Sequence, residues 1–407
     1  MGKRQSARFE GVEKGFERNF YERMRALRVG LFTECYRPIQ NGVVSSVDAL
    51  ARALRSRGHD VICVTPSMPG YREVQEFVVR VPSLPLPTRT SYRLTLPFVP
   101  SERTSRALAG LSIVHTHSPF VTGWMGARIA KRLHLPLLFT YHTQLEEYAH
   151  YFPFEARVAR GAATRLTRSY ANAADLVIVP TRAMESHLRD LGVAARIAIV
   201  PSGIDVAQFA AGRRSDALRR RLGVLPGQRM LLSVGRLGRE KNVELTLEAF
   251  AHLGAPDVRL VVVGDGAHRE ALERHAARLG IAERTTFALE FDRAALPDAY
   301  ASADAFVFTS ASETQGLVLV EALAAGVPVV ALDTPQTRDV LGGSGTLVPP
   351  DAPALAASLR AVLERPPARG GEVPAHVRER FDEAATAGRI VDLYRELVDR
   401  PRVAFAG

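Results

Sequence analysis

Residues 27–66, LRVGLFTECYRPIQNGVVSSVDALARALRSRGHDVICVTP, decide the fold. LRVGLF (27–32) is a short continuous apolar run, and the polar loop TECYRPIQNG follows it. Val44 to Arg57 then repeats apolar positions at helical spacing, and HDVICVTP (59–66) is a second apolar run. Apolar runs without alternation mark strands covered on both faces. Strand, helix, strand therefore predicts the first unit of a parallel α/β sheet.

The rhythm continues outward. After a proline-rich stretch from Pro82 to Pro100 come LSIVHTH, a helix through Ala130, LPLLFTYHT, a helical region near 155–173, ADLVIVP, a helix near 181–191 and RIAIVPSG. A polar, arginine-bearing segment at about 207–227 interrupts the alternation. It restarts at RMLLSVG, with a helix over 242–252, VRLVVVGDG, a helix over 268–279 and a weak strand near 285–289. A helix over 294–301, AFVFTS, a helix over 317–325 and PVVAL complete it. The pattern predicts two doubly wound α/β domains facing across a cleft. We assign 1–26 to an N-terminal extension, 27–206 to the first domain and 207–374 to the second. The last segment, 375–407, carries a helix over about 375–400 in a position to pack back on the first domain.

Composition agrees with a globular chain. Its 407 residues, 46% of them hydrophobic, supply two cores, and 31 glycines and 25 prolines are too few for a collagenous or low-complexity protein. The net charge of +10 is uneven: residues 1–210 carry +11 and the remainder −1. Any contact with an anionic surface thus belongs to the first half. Of 53 basic residues 49 are arginine, which makes Lys241, the only lysine of the second half, conspicuous. Two cysteines, Cys35 and Cys63, fall in strand-like apolar surroundings and cannot build a disulfide framework, so a reducing cytoplasm is expected. The first 28 residues lack the apolar core of a signal peptide. The longest apolar run, Leu317 to Leu332, has 16 residues with Glu321 inside it, short of a bilayer span.

Ligands of parallel α/β folds sit outside the C-terminal ends of the strands, so the residues just after each apolar run are the candidates. Asn41 and Gly42 precede a helix whose amides can receive an anion or a sugar hydroxyl, although the same pair also makes an ordinary turn. His117 and His142 follow two strand ends, where a neutral imidazole can exchange hydrogen bonds with hydroxyls or simply satisfy the loop. Their spacing is not that of a zinc site. In RLGREKN (236–242), the guanidinium fork of Arg236 and the point charge of Lys241 suit a diphosphate, and a solvated charged loop is the competing reading.

SASETQGLVLVEALAAGVPVV (310–330) puts Glu313 in a loop and Glu321 about a turn inside the helix that follows. The two acids can address different parts of one ligand, because an acid among apolar neighbours needs hydroxyl donors. The glycines of GDGAHR (264–269) allow a tight turn and close ligand approach. They form neither GxGxxG nor GxxxxGK[ST], which argues against nicotinamide and P-loop chemistry.

GRLGREKN (235–242), ETQGLVLVEALAAGVPVV (313–330) and PSGIDVAQF (201–209) together resemble the retaining nucleotide-sugar glycosyltransferases of family 4, whose two Rossmann-like domains form the GT-B architecture. The resemblance spans about 27–400. It implies that Arg236 and Lys241 bind the donor diphosphate and stabilise its leaving charge, and that Glu321 holds the ribose hydroxyls. Glu313, the first glutamate of an E-x7-E pattern, would touch the transferred sugar, with the backbone amides of Gln315, Gly316 and Leu317 assisting. His142 would hydrogen-bond a sugar hydroxyl near the reacting centre, and Gly42 belongs to the loop beside the diphosphate. This chain has Asn41-Gly42-Val43 where relatives commonly carry a double glycine.

The stretch HTHSPFVTGWMGARIAKRLHLPLLFTYHTQLEEYAHYF (115–152) is similar to bacterial diacylglycerol glucosyltransferases. That implies UDP-glucose as the nucleotide-sugar donor, diacylglycerol as the lipid acceptor, and a chain held peripherally at the inner face of the cell membrane. The +11 half supplies attraction to anionic headgroups, with Arg157, Arg160, Arg165 and Arg168 as candidate contacts. No DxD stands at a strand end, so no essential metal and no cofactor beyond the donor are expected. A mannosyltransferase using GDP-mannose on phosphatidylinositol or another acceptor is the alternative, and a nucleotide-sugar epimerase a lesser one. A nucleic-acid partner is not expected, because the arginines are dispersed and no aromatics interleave them.

Overall fold

Two parallel sheets account for the alternation in the computed structural model, which describes residues 26–85, 93–96, 102–147, 156–288, 291–365 and 372–400. The expected N-terminal extension lies outside the described residues. In the first half run β1 (Arg28–Phe32), β2 (Asp60–Pro66), β3 (Val78–Val81), a separate antiparallel hairpin of β4 (Ser83–Pro85) and β5 (Arg93–Thr95), β6 (Ile113–Thr116), β7 (Leu137–Thr140), β8 (Leu176–Val179) and β9 (Ile197–Ile199). Their sheet has the order β3-β2-β1-β6-β7-β8-β9. In the second half run β10 (Arg229–Val234), β11 (Val258–Val263), β12 (Thr285–Ala288), β13 (Ala305–Phe308), β14 (Val329–Leu332) and β15 (Thr346–Val348), ordered β12-β11-β10-β13-β14-β15. The strand direction of winding reverses beside β1 in one sheet and beside β10 in the other. At such switch points the loops part and leave a crevice.

Local sequence explains the first unit. Asn41 Oδ1 accepts the Val44 amide at 2.8 Å, a cap that contributes about 1 kcal/mol to starting the helix Gly42–Ser56. That helix buries Val44, Val47, Leu50, Ala51 and Leu54 at spacings of three and four, and each fully buried leucine contributes roughly 2 kcal/mol of hydrophobic stabilisation. Apart from the last, the expected helices stand within about two residues of their predicted ends, and the expected apolar runs hold strands that stop up to four residues short of the quoted stretches, whose polar ends are loop. The short strands β3 and β15 were not anticipated: they are edge strands of four and three residues with half-buried side chains, so they lack a continuous apolar run. Cys63 lies in β2, whereas Cys35 lies past the end of β1 in the loop; both thiols are free and buried.

The single helix expected over 375–400 is two, Ala375–Phe381 and Glu383–Asp399, parted at Asp382. Asp382 turns its carboxylate back to cap the second helix, accepting from Ala384 N and Ala385 N. Its backbone pairs with Ile204: Ile204 N donates to Phe381 O at 2.8 Å and Glu383 N to Ile204 O at 2.9 Å. Val377 and Phe381 enter the core of the second sheet. Beyond the crossing, Ala387, Ile390, Val391, Tyr394 and Leu397 join Val29, Leu31, Val47 and Leu54 in the core of the first. Among the described residues no helix is long and apolar enough to cross a membrane.

Candidate active site

The loops after β10 and β13 meet at the switch point of the second sheet. Arg236 pairs with Glu240, whose backbone carbonyl accepts from Ser310 Oγ and Ser312 Oγ. Asn242 adopts a left-handed conformation (φ 51°), and its carbonyl accepts from Thr309 Oγ1 at 2.8 Å. These bonds aim Lys241 at the neighbouring loop, where its Nζ stands 2.5 Å from Glu313 Oε1. The expected close approach at GDGAHR is real, but the visitor is backbone. A Cβ on Gly264 would lie 2.0 Å from Gly235 O, and one on Gly266 2.2 Å from Leu237 O.

Glu321 keeps separate company one turn inside the helix Leu317–Ala324. The Tyr300 hydroxyl donates to its Oε2 at 2.8 Å, and Arg293 Nη2 lies 3.7 Å from its Oε1. Burial pushes its carboxyl above the usual range, while Arg293 and the Tyr300 hydrogen bond act in the opposite direction. Gly316, at φ +81°, turns the chain into this helix, a conformation that costs glycine least.

The cleft is closed over these loops. Thr314 Oγ1 donates to His142 O at 3.0 Å, Gln144 Nε2 to Glu313 O at 3.2 Å, and Thr181 Oγ1 to Thr314 O at 3.1 Å. Gln315, expected to serve through its backbone amide, uses its side chain to hold Ser202. Its Oε1 accepts Ser202 N at 2.7 Å and its Nε2 donates to Ser202 O at 3.0 Å, fastening the loop before Leu317 to the segment that follows β9. A Cβ on Gly42 would come within 3.8 Å of Leu317 Cδ1, so the helix start at Gly42 faces the helix start at Leu317. Lys241, Glu313, Gln315, Gly316, Leu317, His142 and Gly42 are thus gathered at one seam. Glu321 and Arg236 hold their own partners beside it.

His142 is backed by histidines. Its Nε2 lies 2.9 Å from His117 Nδ1, and the His117 ring lies 4.2 Å, centroid to centroid, from that of His115. His115 is clasped on both nitrogens, Nδ1 by the Tyr394 hydroxyl and Nε2 by Thr140 Oγ1, each at 2.6 Å. Burial depresses all three imidazoles, His142 to about 4, so they are neutral at pH 7. Sequence reasoning pointed to His117 and His142 but missed the roles of His115 and Tyr394. The one available signal was a histidine inside the apolar run LSIVHTH. Mid-helix His187 instead pairs with the buried carboxylate of Glu146.

Arg157, Arg160, Arg165 and Arg168 are all exposed on the helix Ala156–Ala173, which buries Thr167, Tyr170 and Ala171 in its C-terminal half, and Val158 among them is 62% exposed. Among the described residues no group of three His, Cys, Asp or Glu side chains is placed to hold a metal ion.

Comparison with known proteins agrees with this arrangement. The family model Glycosyltransferase Family 4 matches residues 40–208, and Glycosyl transferases group 1 matches 215–387. Alpha-monoglucosyldiacylglycerol synthase of Streptococcus pneumoniae is 32% identical over 322 residues, 77% of this chain and 73% of that protein. GDP-mannose-dependent alpha-mannosyltransferase of Mycobacterium tuberculosis is 35% identical over 78% of this chain and 82% of its own length. Among solved structures, sucrose-phosphate synthase of Thermosynechococcus elongatus superimposes with a TM-score of 0.74 at 24% identity, covering 92% of this chain and 99% of that one. That likeness is one of fold: two Rossmann-like domains in the GT-B arrangement.

Proposed function

The chain belongs to glycosyltransferase family 4 as a retaining, nucleotide-sugar-dependent transferase, and from this we propose that it moves glucose from UDP-glucose to the free hydroxyl of 1,2-diacylglycerol. The observation that carries the reading is the seam itself: Lys241 on Glu313, with the Glu313–Gln315 loop bonded to His142 and Gln144. The glucosyl and lipid parts rest on the pneumococcal relative, which is named for that product.

Arg236 and Lys241 receive the donor diphosphate, which competes with Glu240 and Glu313 for their charges. Glu321 accepts from the ribose hydroxyls while Tyr300 holds its other oxygen. The amides of Gly42, Gln315, Gly316 and Leu317 face the diphosphate and sugar, and His142 bonds a sugar hydroxyl. As the bond from the anomeric carbon to phosphate breaks, negative charge grows where Lys241 and Arg236 stand, and preorganised donors there favour the transition state. The acceptor oxygen bonds to the same face of the anomeric carbon, and its proton passes to the departing phosphate oxygen. The closed seam excludes water, the competing nucleophile.

The four exposed arginines of the helix Ala156–Ala173, in the half with charge +11, support docking at the anionic cytoplasmic surface of the membrane, where the acceptor resides. Transfer of mannose from GDP-mannose is the second reading, favoured by the 35% identity to the mycobacterial enzyme. A panel of UDP-glucose, UDP-galactose and GDP-mannose against diacylglycerol, phosphatidylinositol and soluble sugars separates the two by which donor supports turnover, with product mass identifying the acceptor. Turnover with soluble sugars alone removes the lipid assignment, and conversion of the sugar nucleotide without acceptor identifies an epimerase.

A further inference from the structure

We infer that His117 is a positioning residue that holds His142 in one tautomer, protonated on Nδ1, so that His142 meets the substrate as a hydrogen-bond donor and not as a base. The inference deepens the transferase reading and rests on His142 serving that reaction.

Between His117 Nδ1 and His142 Nε2, 2.9 Å apart, one nitrogen must donate and the other accept, since both rings are neutral. The stacked geometry, with centroids at 5.2 Å and planes at 25°, leaves the direction open. The other nitrogen of His117 decides it. His117 is 4% exposed, and its Nε2 is enclosed with no protein group in hydrogen-bond range. With the proton on Nε2, a buried N–H would stand without an acceptor. With the proton on Nδ1, Nε2 offers only a lone pair, the less costly omission. Nδ1–H of His117 therefore donates to His142 Nε2. The proton of the His142 ring is then on Nδ1, and its accepting nitrogen is taken.

The wall behind is firm. His115 packs against His117 and is fixed by Tyr394, a fully buried residue of the helix Glu383–Asp399, and by Thr140 at the end of β7. The helix that crosses back from the second domain thus reaches the transfer site through two imidazoles. A further consequence is that the acceptor proton has no base at His142 and must leave with the phosphate.

The full chain, its 11 histidines labelled with 15N, reports ring tautomers directly by two-bond 1H–15N correlation, with His142→Asn and His117→Asn used for assignment. The expected spectrum shows His142 Nδ1 as pyrrole-like and Nε2 as pyridine-like. A pyrrole-like His142 Nε2 overturns the inference. In transfer assays, His117→Asn, whose amide nitrogen falls near the place of Nδ1, retains most activity. His117→Ala loses about 10- to 100-fold in kcat with donor KM unchanged. Equal loss in both variants, or loss confined to KM, contradicts the positioning role. Wild-type chain inactive on every donor defeats the transferase reading, and the spectrum still decides the tautomer.

Discussion

Lys241 Nζ stands 2.5 Å from Glu313 Oε1, although 72 positions separate the two residues in sequence. Both side chains are about one-fifth exposed, so the pair lies at the mouth of the cleft, where an incoming diphosphate can replace the carboxylate. Lys241→Ala is expected to lower transfer by about 10²–10³-fold, the range for removing one preorganised donor to a developing charge. Glu313 stays accessible to water, so thermal unfolding should shift little. Steady-state kinetics beside a melting curve checks both, and a folded variant with normal transfer contradicts the role.

Tyr300 and Glu321 make a different prediction. The Tyr300 hydroxyl is what keeps a fully buried carboxylate oriented, and its loss pushes the Glu321 carboxyl further above its usual range. Tyr300→Phe should therefore raise donor KM about tenfold, the cost of one hydrogen bond to a charged group, with kcat nearly unchanged. A fall in kcat at constant KM would place Glu321 in the chemical step instead.

Gly203 is where the segment after β9 touches the helix Glu383–Asp399. A Cβ there would stand 2.3 Å from Thr386 Oγ1 and 2.6 Å from Glu383 Cα. Gly203→Ala should cost about 1–3 kcal/mol by overpacking, read as a lower melting temperature. It should also weaken transfer, since Ser202, its neighbour, holds Gln315.

Acid should unfold the protein early. A histidine whose folded pKa is depressed is protonated more readily in the unfolded chain, so stability falls as pH drops below 6.5 and levels off below the folded value. For His142, depressed from 6.5 to about 4 by burial, the loss between pH 7.5 and 5 is about 2 kcal/mol, and His115 and His117 act in the same direction. Urea melts at the two pH values measure it, and His142→Asn should flatten the dependence.

Much of the fold was legible because buried parallel strands read as continuous apolar runs and their crossovers as periodic helices. Features set by meetings far apart in sequence were not. The two helices part at Asp382 because the backbone of its neighbours Phe381 and Glu383 bonds to Ile204, and no glycine or proline at the break announces it. Tyr394 reaches His115 across 279 positions, and the Gln315 side chain reaches Ser202 across 113. Lys241, Glu313 and Glu321 stand out in the sequence because charged residues just after apolar strands, or within an apolar helix, need a reason. His115 lies inside such a run, and its clasp by Tyr394 is visible only in three dimensions.

The most direct test is the anomeric configuration of the lipid formed from UDP-glucose, in which glucose is α-linked, and 1,2-diacylglycerol. The account predicts monoglucosyldiacylglycerol whose H1–H2 proton coupling is the small one of an α-glucoside. A β-glucoside, or free glucose with no glycolipid, would contradict it.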